Sequence, residues 1–256
     1  MHNKILEAIN NGVKLALDDF NNLENNSLNT NITNTNIIDD NEYLTKRARY
    51  KMLSQKIITA SKDELPCLEY SIVELAFLAQ ELGMKFKVPN DRDYLHNLLK
   101  VIIYDNGDFK ANLNWIDVSE VTDMSNLFRD AYFNEFDGDI SGWDVSNVTD
   151  MSKMFMWTQF KGDISKWNVS NVGRMVSMFE NSKFNGDISR WNVYNVVKMD
   201  FIFKDSHFNQ DISKWNLKIV KINAAYGKPG FVFENFFKNN LFLNSPIAKN
   251  PEYWPH

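Results

Sequence analysis

Hydrophobic and polar positions follow two rhythms along this chain, and the first is helical. Ile5, Ile9, Val13, Ala16, Leu17 and Phe20 recur every three or four residues, which predicts an amphipathic helix over residues 3–23. The polar, Asn-rich run NNSLNTNITNTNIIDDN, residues 25–41, reads as a flexible loop. Leu44, Ala48, Leu53 and Ile57 mark a second helix with a basic outer face of Lys46, Arg47, Arg49, Lys51 and Lys56. A third, over residues 68–82, is apolar nearly all round and is expected to be buried, stopping near Gly83. A fourth follows Pro89-Asn90-Asp91, carries Tyr94, Leu95, Leu98, Leu99, Ile102 and Ile103, and ends at the turn signal Asp105-Asn106-Gly107.

From Trp115 the helical rhythm gives way to a repeat. Trp115, Trp143, Trp167, Trp191 and Trp215 are spaced by 28, 24, 24 and 24 residues. Asp139, Asp163, Asp187 and Asp211 keep the same interval, as do Ile140, Ile164, Ile188 and Ile212. Further columns are Val118, Val145, Val169 and Val193; Met124, Met151, Met175 and Met199; and Phe128, Phe155, Phe179 and Phe203. A unit this short cannot bury its own apolar face, so neighbouring units must stack to share one core. Short extended segments near "DIS" and "VTDM" suit one coil of a β-solenoid better than a pair of helices. The helix at 91–104 is placed to cap the front of the stack. The Phe-rich run KPGFVFENFFKNNLFLNSP is placed to cap the back.

The segments GWDVSNVTDMSKMF (142–155), FNGDISRWNV (184–193) and LNWIDVSEVTDMSNLF (113–128) resemble the BspA-type leucine-rich repeat proteins of bacteria, over residues 91–220. Similar repeats occur in mollicute and Listeria-like surface lipoproteins. The resemblance implies a right-handed, leucine-rich-repeat-like β-solenoid without catalytic residues. It also implies binding of host or partner proteins. The expected fold class is therefore α+β. A helical domain at 1–90 precedes a short solenoid of 24-residue coils at 91–220, and a Phe-rich cap closes it at 221–256.

Composition narrows the chemistry. A net charge of −5 gives no whole-chain basic footprint for nucleic acid. Cys67 is the single cysteine, which excludes an intrachain disulfide. It follows Pro66 at the start of a helix expected to be buried, and reads as a core thiol. With no signal-peptide pattern, lipobox or run of 18 apolar residues, the expected location is the cytoplasm, with no membrane partner. His2, His96, His207 and His256 match no metal spacing. The Asp column reads as turn capping before it reads as a calcium site, since calcium-binding repeats carry several Asp and Gly in each short unit. Asn147, Asn171 and Asn195 fit an amide ladder that satisfies turn backbones. No catalytic motif, metal site or cofactor is expected.

What varies on a fixed scaffold sets what a partner meets. The position before Trp reads Gly142, Lys166, Arg190 and Lys214. The position before Met reads Asp123, Asp150, Arg174 and Lys198, drifting from acidic to basic. Tyr132, Trp157 and Tyr194 sit outside the columns, where exposed aromatics beside Arg have interface composition. The expected function is a non-enzymatic module that binds a partner protein through these residues. An intracellular inhibitor, such as a toxin-immunity protein or a phage-type blocker of a defence system, is an alternative. A further alternative is RNA or DNA binding through Lys46–Lys56 and the basic column.

Overall fold

A computed structural model describes residues 40–59, 69–217 and 241–255. The helix expected at 3–23, most of the Asn-rich loop and Cys67 lie outside the described residues. The chain divides into two compact units, Met1–Asp91 with Trp115–Asp117, and Arg92–Asn114 with Val118–His256.

In the first unit, α1 (Asp40–Thr59) packs on α2 (Glu69–Glu81). β1 (Phe86–Lys87) then pairs in parallel with β2 (Ile116–Asp117), Phe86 opposite Ile116. Of the expected α1 stripe, Leu53 is buried while Ala48 is exposed and Leu44 is 59% exposed; Tyr50 and Ser54 are buried instead. Burial of Ser54 is cheap because its hydroxyl donates to the Tyr50 carbonyl one turn back. α2 buries Ile72, Leu75, Ala76 and Ala79 at helical spacing, while Val73, Phe77 and Leu78 are only half-buried. It ends where expected. Gly83 takes φ +69°, and the amides of Gly83 and Met84 bond the carbonyls of Gln80 and Ala79, a Schellman cap.

The second unit opens with α3 (Arg92–Leu99), which continues as a π-helical stretch, Lys100–Asp105, and buries Leu95, Leu98, Leu99, Ile102 and Ile103. The repeats follow. Trp143, Trp167, Trp191 and Trp215 are at most 4% exposed. Each indole N–H donates to a carbonyl of the preceding repeat, on Leu113, Ile140, Ile164 and Ile188 in turn, at 3.0–3.2 Å. Trp115 is half-buried, and its carbonyl accepts the Phe86 amide. Phe128, Phe155, Phe179, Phe203 and Phe242 stack with centroids 5.5–6.1 Å apart. Phe136, Phe160, Phe184 and Phe208 form a second stack at 5.8–6.2 Å. The two stacks touch at 3.9–4.4 Å. Gly162 is required beside them, because a Cβ there would meet the Phe160 ring at 2.7 Å.

The expected right-handed, leucine-rich-repeat-like β-solenoid is not what forms. The only strands among the described residues are β1 and β2, in the first unit. The repeats meet through single-residue parallel bridges, Asn112 to Asp139, Asp123 to Asp150, Asp150 to Arg174, and Arg174 to Lys198. The cause is local. The amides of Met151, Lys153, Phe155 and Trp157 do cross to the carbonyls of Arg174, Val176, Met178 and Glu180, as in a ladder. Yet Met154, Met156 and Thr158 also donate three residues back, to Met151, Lys153 and Phe155, closing successive turns. Asn126, Lys153, Ser177 and Phe201 hold φ of 55–60°, where a type II turn requires its third residue. Trp157, Asn181 and Asp205 do the same four residues later, and Asn244 likewise in the last row, at 53–64°. A chain reversed this often cannot stay extended, so the stack is built of turns. The "DIS" segments run directly into turns, in which the amides of Trp143, Trp167, Trp191 and Trp215 bond back to the carbonyls of Ile140, Ile164, Ile188 and Ile212.

The columns resume after residue 240. Phe203 and Asp205 donate their amides to the carbonyls of Leu241 and Leu243, and the Ile247 amide donates to Phe208. Leu241, Phe242, Ile247 and Trp254 are buried there, and the Trp254 indole bonds the Ile247 carbonyl at 2.8 Å.

Candidate binding surface

Most polar columns of the array are occupied with its own backbone. The carboxylates of Asp139, Asp163, Asp187 and Asp211 accept the amides of Ser141, Ser165, Ser189 and Ser213 at 2.8–3.0 Å. These are Asx turns. Each bond favours the ionised form, so the carboxyls of Asp139, Asp163 and Asp187 lie below the usual aspartate range, with that serine amide the largest cause. The amide ladder is present too. Asn147, Asn171 and Asn195 donate to the carbonyls of Ser119, Ser146 and Ser170 at 2.7–2.8 Å. Among the described residues, no group of three His, Cys, Asp or Glu side chains is placed to hold a metal ion.

Lys166, Arg190 and Lys214 are exposed, one on each of three successive repeats. They stand beside the Asp column: Lys166 attracts Asp163, and Arg190 and Lys214 attract Asp187. That edge therefore carries both signs of charge. Asp123, Asp150, Arg174 and Lys198 are brought together as bridge partners. Within that row, Arg174 Nε sits 2.8 Å from Asp150 Oδ2, while Asp123 and Asp150 cap the amides of Ser125 and Ser152. The acidic-to-basic drift is thus partly spent on an internal pair. At the next corner, Lys204 pairs with the buried Glu180 at 2.6 Å.

The aromatics outside the columns behave differently. Trp157 is 50% exposed, with the Arg129 guanidinium 5.4 Å from its ring centre. Tyr132 is exposed, with Lys100 Nζ 4.6 Å from its ring and Tyr104 against its edge at 4.8 Å. Tyr132 belongs to the 3-10 turn Ala131–Phe133, inside the extra residues of the 28-residue interval. His96 anchors that segment. Its ring nitrogens lie 3.1 Å from the Leu127 carbonyl and 3.2 Å from Asp130 Oδ2, and its ring meets Phe133 edge-on. Tyr194 is exposed on a different repeat, its amide donating to Asn192 Oδ1. Sequence reasoning missed Lys100, Tyr104 and Arg129. The readable signal was the corner itself, which takes Asn181, Asp205 and Asn244 elsewhere and Trp here.

The basic face of α1 is partly neutralised. Arg49 makes a two-pronged pair with Glu74 at 2.8 and 3.1 Å, which raises its pKa, and Lys46 lies 3.2 Å from Glu81. No helix among the described residues is long and apolar enough to cross a membrane.

A family model described as "Mycoplasma protein of unknown function, DUF285" matches residues 97–181 and again 122–228, together just over half of the chain, so the chain belongs to that family. No curated protein and no solved structure matches it.

Proposed function

We propose that this member of the DUF285 family is a non-enzymatic module that binds another protein through the exposed face of its repeat array. Trp157 carries the reading. A large aromatic with φ +64° is sterically disfavoured, and the equivalent corners use Asn or Asp, which tolerate that conformation. Such strain concentrates where function holds it in place. The same side chain is half exposed on a backbone fixed from both neighbouring repeats, which suits an interface anchor. The columns of Asp and Asn support the reading in another way. They meet the scaffold's own needs and leave the residues between them to a partner. The module is taken to act in the cytoplasm, in keeping with a single cysteine. The ion pairs of Lys46 and Arg49 weigh against α1 as a nucleic-acid surface.

The test is affinity capture from cells of the source organism with the wild-type chain and with Trp157→Asn, which gives the corner the residue found at 181 and 244. The expected outcome is one partner retained by the wild type and lost by the variant. Equal capture by both, or none by either, removes the reading. The identity of a captured partner decides whether the module inhibits, as an immunity protein or a phage-type blocker would.

A further inference from the structure

We infer that the surface around Trp157 and Tyr132 docks an acidic segment of the partner protein, with Arg129 and Lys100 as the paired cations that receive its carboxylates. This rests on the binding reading above and deepens it.

Two cations are held over exposed aromatic rings, Arg129 over Trp157 and Lys100 over Tyr132. The two halves are close along the chain: Tyr132, which holds Lys100, is three positions after Arg129, a reach of at most about 11 Å. Among the described residues neither cation forms a salt bridge, whereas Arg49, Arg174 and Lys204 do. The nearest carboxylate along the chain, Asp130, is engaged by His96. Arg129 is positioned further by a 3.2 Å bond from its guanidinium to Asn126 Oδ1, which leaves other N–H groups of the fork for a planar, two-oxygen acceptor. A ring beneath each cation lowers the cost of holding it in place. Tyr104, 45% exposed at the Tyr132 edge, extends the apolar floor. Carboxylates flanked by apolar side chains would fill both halves of this surface.

A long polyanion fits less well. The same stretch carries exposed Asp123 and Glu135, and the whole chain is at −5, so a phosphate backbone running past the two cations meets repulsion on either side. A short acidic segment avoids it.

The experiment selects short peptides from a random display library on the intact wild-type chain. It then measures the selected peptides by calorimetry against Arg129→Gln, Lys100→Gln and Trp157→Asn. The expected pool is enriched in Asp and Glu beside aromatic or aliphatic residues, and Arg129→Gln weakens it about tenfold, as loss of one charge-assisted pair does. Lys100→Gln weakens it about threefold, because its stem is more mobile. A pool without acidic enrichment, or one bound equally by Arg129→Gln, overturns the inference, as does tighter binding of oligouridylate than of any peptide at physiological salt. Because Gln keeps the stems in place, circular dichroism of these variants is expected to match the wild type. If Trp157→Asn abolishes cellular capture while Arg129→Gln and Lys100→Gln leave it intact, the binding module stands and the acidic partner falls.

Discussion

The repeat array and the α1–α2 pair solve the same problem of holding polar chain together in opposite ways. The helix pair closes its backbone bonds within each helix, and solvent-accessible ion pairs, Lys46–Glu81 and Arg49–Glu74, link the two. The array sends backbone N–H groups to the following repeat and indole N–H groups to the preceding one, row after row, beside two buried stacks of phenylalanine. Buried and repeated contacts should dominate stability, and exposed single ones should not.

The sharpest way to break that contrast is Trp167→Ala. It removes a buried indole and takes from the Ile140 carbonyl one of its two donors, leaving only the Trp143 amide, so urea denaturation is expected to show a loss of about 3–5 kcal/mol. A loss under about 1 kcal/mol would mean that the rows do not share a core. Gly162→Ala comes next, at about 1–3 kcal/mol, since the new Cβ presses on the Phe160 ring. Gly138→Ala should cost more, because its Cβ also meets the Ala111 carbonyl oxygen at 2.7 Å and backbone yields less than a ring.

The Asx turns predict a smaller, pH-dependent effect. Asp139, Asp163 and Asp187 have depressed carboxyl pKa values in the folded chain. Their contribution is therefore present above the unfolded value of about 3.9 and fades as pH falls through the folded ones. The urea midpoint should hold from neutrality to about pH 5 and decline below about pH 4. Replacing all three with Asn, which keeps the acceptor as Asn112 does for the Asn114 amide, should flatten that decline. Arg49→Gln is expected to change least, leaving the urea midpoint of the whole chain where it was. A shift as large as that of Gly162→Ala would erase the distinction between the two regions.

The columns of Trp, Val, Met, Phe, Asp and Asn were legible because one physical demand recurs every 24 residues. The turn-built backbone was not. Its left-handed positions carry Asn126, Lys153, Ser177 and Phe201, and of these only asparagine advertises such a conformation. The row at residues 241–247 escaped notice because its partners lie far back in the sequence and Trp is missing from it. For the surface, Tyr132 and Trp157 stood out as aromatics off the columns. Arg129 and Lys100 did not, since one sits in the interval that breaks the period and the other on a helix outside it. The α1 stripe held at Leu53 and missed Ser54, whose burial rests on a local hydrogen bond that no hydropathy pattern contains.

The handing of each indole N–H to the repeat before it has a consequence for how such chains change over generations. Trp167, Trp191 and Trp215 each reach an isoleucine carbonyl 27 residues earlier, so every unit offers the same socket and carries the same plug. A gene copying error that removes or duplicates one 24-residue unit would rejoin plug to socket without loss of register. The array could then shorten or lengthen in whole steps. The irregular segment with Arg129 and Tyr132 sits at the head of the array, before the period settles, and would pass through such events untouched. A lineage could vary the length behind that surface while keeping the surface itself.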